Sequence, residues 1–204
     1  SGVPNVLTTD TASLTALVAN TWYHVHAIIV GGSADVGFDT SITAANLITD
    51  HSATAYRRIG SFLTDSTTPG NLVAFSQAGD HFIYTAPTID ASVDPDTTAT
   101  THTLAAAPPS VPVMANISFV NTGGGSVTHL AFTSMDQSDT AVSLTANLLA
   151  QHGVSIPAGA PTSHAGSAWV RTSTSQQIRS RNLADNTDLD ISVLGYLDRR
   201  GRDD

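Results

Sequence analysis

The residue types that favour helices are almost missing from this chain, and this feature constrains its fold more than any other. Its 204 residues include no Glu, no Lys and only two Met, which rank among the strong helix formers. Ser and Thr together supply 50 residues, and Val and Ile (27 residues) outnumber Leu (15). β-Branched side chains lose rotamer freedom in a helix and pack well on a pleated surface. The composition therefore predicts an all-β fold with at most one short helix.

Apolar runs separated by turn residues predict the strands. The clearest run, Thr21 to Val30, is followed by Gly31-Gly32-Ser33 and by a second run, Ala34 to Asp39. A Gly-rich turn predicts another hairpin, between Val113 to Val120 and Val127 to Met135. Further strands are predicted at Tyr56 to Thr64, Leu72 to Gln77, His81 to Thr85, Thr101 to Leu104, Ser167 to Thr172, Gln176 to Arg181 and Leu189 to Leu197. The window Thr140 to Gln151 competes as a helix, with Asp139 as its N-cap.

These strands are predicted to form a single β-sandwich or jelly-roll domain over residues 3–198. Ser1-Gly2 is typical of the residues that protease cleavage leaves, so we expect an excised fragment, and residues 199–204 form a charged C-terminal tail. Two similar strings, Asp39 to Leu47 and Asp139 to Leu148, have two explanations. One is chance in a chain rich in Thr and Ala. The other is a pair of half-repeats, 12–86 and 111–198, joined by a crossover at 87–110 that holds at most one short strand.

Charge and cysteine content exclude several classes of protein. A chain without Cys has no disulfide framework, no zinc–thiolate site and no thiol nucleophile. Its net charge is −9 and its eight cationic residues are scattered arginines, so it lacks the basic surface that binds nucleic acid or an anionic membrane. The longest wholly apolar run, Ala27 to Val30, is far shorter than the roughly 20 residues that span a bilayer. We therefore expect neither nucleic-acid binding nor membrane insertion.

Two histidines form the most suggestive metal-ligand pattern. His24 and His26 lie two apart on a predicted strand, so both face the same side. Cupin-type jelly rolls present two imidazoles to a metal in this way, but those sites usually add a Glu, and this chain contains none. We interpret the pair as polar residues of a half-buried strand and predict no metal and no cofactor.

No catalytic residues are predicted. Ser163-His164 lies in a Pro-, Gly- and Ser-rich segment, and no Gly-x-Ser-x-Gly elbow supports a serine nucleophile. Gly123 to Gly125 is not followed by the Lys of a phosphate-binding loop. Two-carboxylate glycoside hydrolysis stays an alternative, although nothing marks which two Asp would act. Loop carboxylates of the kind that Ca²⁺ prefers occur without EF-hand spacing and are interpreted as solvated: Asp94, Asp96, Asp185, Asp188 and Asp190.

Arg57 and Arg58 are neighbours on a predicted strand. Successive side chains of a strand point to opposite faces, so one of the two is expected to point inward. A buried guanidinium needs a carboxylate partner. We interpret this pair as structural.

Several strings in a fixed order carry a resemblance to a known family. They are Trp22-Tyr-His-Val-His26, Asp35 to Thr40, Tyr56-Arg-Arg-Ile-Gly-Ser-Phe62, Thr64-Asp65, Phe75 to Gln77 with Gly79-Asp80, Val170 to Ser173 with Gln177 to Arg179, and Leu194 to Arg202. Between residues 20 and 202 the chain resembles the distal, C-terminal region of tail fibre or receptor-binding proteins of tailed phages and prophages. It departs from the family pattern at Tyr196, where Trp is expected, and by a Thr68-Pro69 insertion.

The resemblance implies a non-enzymatic β-sandwich or jelly-roll tip, displayed outside the cell on the virion, that attaches to a bacterial host surface. The implied partners are further copies of the chain in a homotrimer, other phage tail proteins and a host-surface glycan or receptor. An acidic surface rich in Ser, Thr and Asn suits neutral sugars, with Trp22 and Trp169 as stacking candidates. Tyr side chains are further candidates. Each of these aromatics, Trp169 included, is better explained as core, and Trp22 above all because it lies in the strongest strand, so Trp169 is the candidate glycan-stacking residue.

Two other functions compete with attachment. One is a structural virion protein, an adaptor or a tail or baseplate component, that contacts only other virion subunits. The other is a tail-associated polysaccharide depolymerase.

Overall fold

The computed structural model describes residues 6–7, 17–67, 70–94, 96–123, 128–143, 152–156, 162–183 and 187–200. The chain divides into two compact units, which we name unit 1 (residues 1–74 with 198–204) and unit 2 (residues 75–197). This boundary differs from the proposed half-repeats, because residues 75–86 and the whole segment 87–110 belong to unit 2. A single domain over residues 3–198 and an internal duplication both stay predictions.

The described residues form antiparallel strands and one short helix, as the composition predicts. Unit 1 contains β1 (Val6–Leu7), β2 (Trp22–Val30), β3 (Ser33–Asp39), α1 (Ala45–His51) and β4 (Ala55–Leu63). Unit 2 contains β5 (Phe75–Ala78), β6 (His81–Tyr84), β7 (Ile89–Val93), β8 (Thr100–Thr103), β9 (Met114–Gly123), β10 (Thr128–Ser134), β11 (His152–Ile156), β12 (Thr162–Arg171), β13 (Gln177–Asn182) and β14 (Thr187–Leu197).

Unit 1 is built on one four-stranded sheet in the order β1-β3-β2-β4. The predicted β2–β3 hairpin is confirmed: Val30 pairs with Ser33 across a two-residue loop. Both loop residues, Gly31 and Gly32, have positive φ (56° and 83°), as a turn that matches the twist of the two strands requires. One face of the sheet packs against α1 through Ile28 and Leu47, both buried.

The helix lies in a different place from the one predicted. Residues 140–143 are irregular, and 144–151 lie outside the described residues. The helix observed, α1, has no side-chain cap from its own N-cap residue. Instead Asp39, at the end of β3, accepts hydrogen bonds from the amides of Asn46 (2.9 Å) and Leu47 (3.1 Å). Since this cap comes from a preceding strand, a search for a local capping residue misses it.

Unit 2 is a sandwich of two sheets. Their strand orders are β12-β9-β14-β6-β5, with β7 also paired to β14, and β11-β10-β13-β8. Phe119 of the first sheet and Phe132 of the second are fully buried, and their ring centroids lie 5.0 Å apart. The inward residues of both sheets form the core: Ile117, Val170, Leu189, Ile191, Val193 and Tyr196 from the first, and Leu130 and Ile178 from the second. The prediction of an all-β, sandwich-like fold is confirmed.

Two details of the strand prediction are wrong. β9 and β10 do not form a hairpin, because both edges of β9 are occupied by β12 and β14 and β10 pairs with β11 and β13 in the other sheet. The segment 87–110 contains two strands, β7 and β8, where at most one was expected. Each pairs with a strand more than 70 residues further along the chain, a contact that no local pattern signals.

Candidate functional site

The outer face of the larger sheet of unit 2 carries a row of residues in register, of which the two at its ends, Trp169 and Ile83, are exposed. Trp169 of β12 lies opposite Asn116 of β9, which lies opposite Gly195 of β14. Gly195 in turn lies opposite Ile83 of β6. Their sequence neighbours Ala168, Val170, Ile117 and Phe82 are buried in the sandwich, so this row points outward. We call this row and its flanking outward side chains the Trp169 face.

Gly195, near the centre of the Trp169 face, is buried. A Cβ there would lie 2.0 Å from the Phe82 carbonyl oxygen, so β6 approaches β14 too closely for any larger residue. The Trp169 and His81 rings, from strands separated by β9 and β14, have centroids 5.7 Å apart at 46°. The two rings reach toward one another across the row.

The Trp169 face combines apolar side chains with hydroxyls. Among the described residues it holds four of the eight exposed large hydrophobic residues: Trp169 (42% exposed), Ile83 (53%), Ile89 (62%) and Val120 (39%). The next outward row is a ladder of three serines, Ser167, Ser118 and Ser192. These two rows contain no charged side chain. The charged outward residues lie at the margins, where Arg171 is ion-paired with Asp136.

The structure places the predicted aromatic candidates differently from one another. Trp169 is exposed on the sheet face, the location that stacking on a ligand requires, and Trp22 of unit 1 is only partly exposed. Sequence reasoning missed His81, Ile83 and Asn116 as neighbours of Trp169. One signal was available for Ile83 and Val120: each is an apolar residue at an outward position, where an alternating strand would place a polar one.

His24 and His26 lie in a buried polar network of unit 1, on the face of β2 that also carries Ile28. The Ser61 hydroxyl contacts His24 Nδ1 at 2.8 Å and accepts a hydrogen bond from Arg58 Nη1 at 2.9 Å. Arg58 also donates to both carboxylate oxygens of Asp198, at 2.7 and 2.6 Å. A bulge in β4 between the residues paired with Val25 and His26 lets Arg58 and Ser61, three apart, reach the same face.

Burial determines the charge state of this network. The pKa of His24 is lowered to about 4, chiefly by desolvation and also by the Arg58 guanidinium and His26, while Asp198 and Asp39 act in the opposite direction. The pKa of His26 is lowered for the same first reason, burial. Both imidazoles are therefore neutral at pH 7.

Among the described residues, one ring nitrogen of each imidazole has no hydrogen-bond partner: His24 Nε2 and His26 Nδ1. The remaining His26 nitrogen, Nε2, lies 3.1 Å from the Ser41 carbonyl oxygen. Asp39, directly opposite His24 in register, accepts four hydrogen bonds, from the Ser41, Asn46 and Leu47 amides and from the Asn46 side chain. Both carboxylate oxygens of Asp39 thus accept hydrogen bonds from other groups of the protein. The part of the chain that the structure describes contains no group of three His, Asp or Glu placed to hold a metal.

The remaining candidate residues have structural surroundings. Ser163 and His164 lie within strand β12 rather than in a loop, and Ser163 Oγ is 3.2 Å from Thr122 Oγ1. A hydrogen bond with the Asp94 carboxyl and repulsion between these acids raise the pKa of Asp188. The Asp96 carboxylate accepts hydrogen bonds from Thr97 and Thr98, which lower its pKa. Asp185 and Gly124 and Gly125 lie outside the described residues.

The prediction that one of the two arginines points inward and has a carboxylate partner is confirmed. Arg57 is exposed, whereas Arg58 points inward and forms the ion pair with Asp198, whose side chains are 9% and 1% exposed. The guanidinium and the carboxylate form a bidentate ion pair with two hydrogen bonds, the strongest form of this interaction. The partner lies 140 residues further along the chain.

Comparison with known proteins leaves the function to be argued from these residues. No protein-family model matches the chain, and a search of curated proteins gives no match. Within the described residues, no helix has the length and apolar character to cross a membrane.

Proposed function

We propose that this chain is a non-enzymatic attachment module of a phage tail fibre or receptor-binding protein, which binds a glycan on the bacterial host surface. Its place of action would be the virion, outside the cell. Its partners would be that glycan, other tail proteins and further copies of itself. The sequence strings that resemble the distal part of such proteins motivate the proposal.

The observation that supports it most directly is the exposed Trp169. A large aromatic ring on an open, uncharged sheet face costs free energy in water unless a ligand or a partner covers it. Trp combines a large apolar surface with one N–H donor, which suits it to binding sites that are partly wet. Serine hydroxyls beside it supply both donors and acceptors. This combination suits a polyhydroxylated ligand better than a hydrocarbon one.

Binding to whole cells tests the proposal. Fluorescently labelled chain is mixed with a panel of candidate bacteria and with the same cells stripped of surface polysaccharide. Saturable binding to some strains, lost on stripping, is expected. Binding to no strain, together with pull-down of other tail proteins, would favour the structural virion protein instead. Shortening of the polysaccharide during incubation would favour the depolymerase.

The homotrimer is a second part of the proposal. We propose that β2 and β14 lie in or near the trimer core. Both are interior strands of their sheets, since β2 lies between β3 and β4 and β14 lies between β9 and β6. Light scattering coupled to size-exclusion chromatography should give about three times the 21.1 kDa chain mass. A stable monomer at micromolar concentration would remove the trimer and leave attachment untouched.

A further inference from the structure

We infer that the free edge of β12 is an interaction surface that pairs with the same edge of a second copy of this chain. The two β12 strands run antiparallel about a twofold axis at Ser167 and join the larger sheets of two unit 2 copies into one continuous sheet. This inference goes beyond the proposed function and does not depend on it, because it rests on the backbone and side chains of a single strand.

β12 is a long strand at the edge of the larger sheet. It stands at the end of the strand order, and all ten of its residues are in register with β9. The amide of Thr172, directly after β12, donates to the Val113 carbonyl oxygen at 2.8 Å, which fixes the alternation of hydrogen bonds along this antiparallel pair. Even-numbered residues of β12 therefore bond to β9. The residues whose N–H and C=O groups point to the free edge are Ser163, Ala165, Ser167, Trp169 and Arg171.

These backbone groups are available to another strand. Among the described residues, β9 is the only strand that pairs with β12, and the backbone groups of Ala165, Ser167 and Trp169 form no hydrogen bond with any other segment. All the odd-numbered residues from 163 to 171 are exposed. A row of unpaired N–H and C=O groups is a template on which a further strand can add.

β12 lacks the features that protect the edge strands of most proteins. Such strands are short, or they carry a Lys, a Pro or a bulge. β12 has ten residues in unbroken register with β9, contains no Lys and no Pro, and has no Asp or Arg before Arg171 at its end. Its one bulky exposed side chain, Trp169, contacts the His81 ring across β9 and β14. The indole is thus turned over its own sheet, which leaves the edge open to the backbone of another strand.

A second copy of β12 fits this edge because the strand is complementary to itself. With the axis at Ser167, every odd-numbered residue from 163 to 171 has a partner, and the two strands exchange about ten hydrogen bonds. Moving the axis by one residue leaves one of these residues unpaired. At the axis the two Ser167 side chains lie opposite each other. Trp169 of each copy lies opposite the small Ala165 of the other, and Arg171 lies opposite Ser163. No two like charges meet, an arrangement that would destabilise the pair.

Self-association measured by analytical ultracentrifugation tests the inference. Ser167→Lys and Ser167→Asp each place two like charges opposite one another at the axis, so each alone should weaken association several-fold. An equimolar mixture of the two variants should associate again, because Lys then lies opposite Asp. The matched control is Ser118→Lys, which makes the same change on β9 directly beside Ser167 and should associate like the unmodified chain.

The comparison is made at equal concentration, from micromolar to millimolar. At the upper end the unmodified chain is expected to reach twice the mass of Ser167→Lys. This ratio holds whether or not the chain also trimerises, because the twofold contact adds to any contact made elsewhere on the molecule.

Amide hydrogen exchange locates the contact. In dilute solution we expect the amides of Ala165, Ser167 and Trp169 to exchange rapidly, and those of Ala168 and Val170, which bond to β9, to exchange slowly. In concentrated solution the three odd-numbered amides should slow at least about tenfold, while the two even-numbered ones stay unchanged. This alternation distinguishes strand pairing from a general stabilisation of the fold.

Several results would overturn the inference. One is a mass that does not rise with concentration, and another is association of Ser167→Lys as strong as that of the unmodified chain. Failure of the Lys and Asp variants to associate when mixed would show that the two strands do not meet at Ser167. Exchange at the odd-numbered amides that is independent of concentration would place the contact elsewhere. Cell binding is measured separately, so the loss of this contact leaves the proposed attachment function untouched.

Discussion

Each unit buries a histidine against a serine, and the two pairs differ in what surrounds them. In unit 1, His24 Nδ1 lies 2.8 Å from Ser61 Oγ, and in unit 2, His102 Nε2 lies 2.6 Å from Ser180 Oγ. Both histidines have their pKa lowered to about 4. Burial alone accounts for the shift of His102, whereas four charged or titratable neighbours act on His24: Arg58, His26, Asp198 and Asp39.

The comparison shows that one pKa can arise from two kinds of environment. His102 contacts Ser180 inside the sandwich of unit 2, and desolvation is the cause of its pKa shift. His24 belongs to a chain of contacts that ends in a buried ion pair, where Arg58 and His26 lower its pKa, Asp198 and Asp39 raise it, and desolvation is the largest cause. The two pairs should therefore respond alike to acid and differently to the loss of a charge.

The largest expected effect is a loss of stability in unit 1 alone. Asp198→Ala leaves Arg58 buried without its counter-charge, which should lower the free energy of unfolding of unit 1 by about 3–5 kcal/mol. The chain has one tryptophan in each unit, Trp22 and Trp169. Urea unfolding followed by fluorescence in Trp169→Phe and Trp22→Phe backgrounds therefore reports on each unit separately.

The control for this experiment removes both charges. Arg58→Met with Asp198→Leu exchanges the ion pair for apolar side chains and should recover most of the lost stability. A double variant as unstable as Asp198→Ala would show that the charge itself is not the cause. Equal destabilisation in both backgrounds would contradict the assignment of this pair to unit 1.

The second largest expected effect, a loss of stability as the pH falls, should appear in both units. A histidine whose pKa falls from 6.5 to about 4 on folding stabilises the folded state above pH 6.5, and this contribution disappears as the pH falls toward 4. Each of His24 and His102 should account for about 3 kcal/mol over this interval. Unfolding free energies measured between pH 7 and pH 4 in the two backgrounds check this expectation.

Variants in which Asn replaces a buried histidine show which imidazole causes the pH dependence of each unit. His102→Asn should flatten the pH dependence of unit 2, whereas His24→Asn should leave a residual slope in unit 1 because the pKa of His26 is also lowered. Stability that does not change between pH 6.5 and pH 4 in either unit would show that these imidazoles are hydrated.

The smallest expected effect is the loss of stability on substituting two crowded glycines, one in each unit. A Cβ on Gly166 of unit 2 would lie 2.6 Å from Phe119 Cζ, and one on Gly37 of unit 1 would lie 2.7 Å from a methyl group of Leu47. Phe119 is held against Phe132. At Gly37, by contrast, the added Cβ would meet the terminal methyl groups of Leu47, the flexible end of an aliphatic side chain. We expect about 1–3 kcal/mol of destabilisation for Gly166→Ala and less for Gly37→Ala, by thermal unfolding. The reverse order would mean that α1 is the more rigid neighbour.

Some of the structure was set by the sequence itself. The lack of Glu and Lys and the abundance of β-branched residues give an all-β chain, because these are properties of each residue that hold in any surroundings. The Gly31-Gly32 turn was predictable for the same reason, since only residues tolerant of positive φ form it cheaply. The inward direction of one of Arg57 and Arg58 was also predictable, because successive side chains of a strand point to opposite faces.

Other features were decided only by the tertiary structure. Local patterns give the strands but not their partners, so β9 and β10 were placed in one hairpin although each is paired elsewhere. The cap of α1 comes from Asp39, and the counter-charge of Arg58 comes from Asp198, 140 residues away. The row that joins Trp169 to Ile83 passes through four strands. Such contacts depend on which edges meet in the folded chain, and that depends on the burial of all strands together rather than on any segment alone.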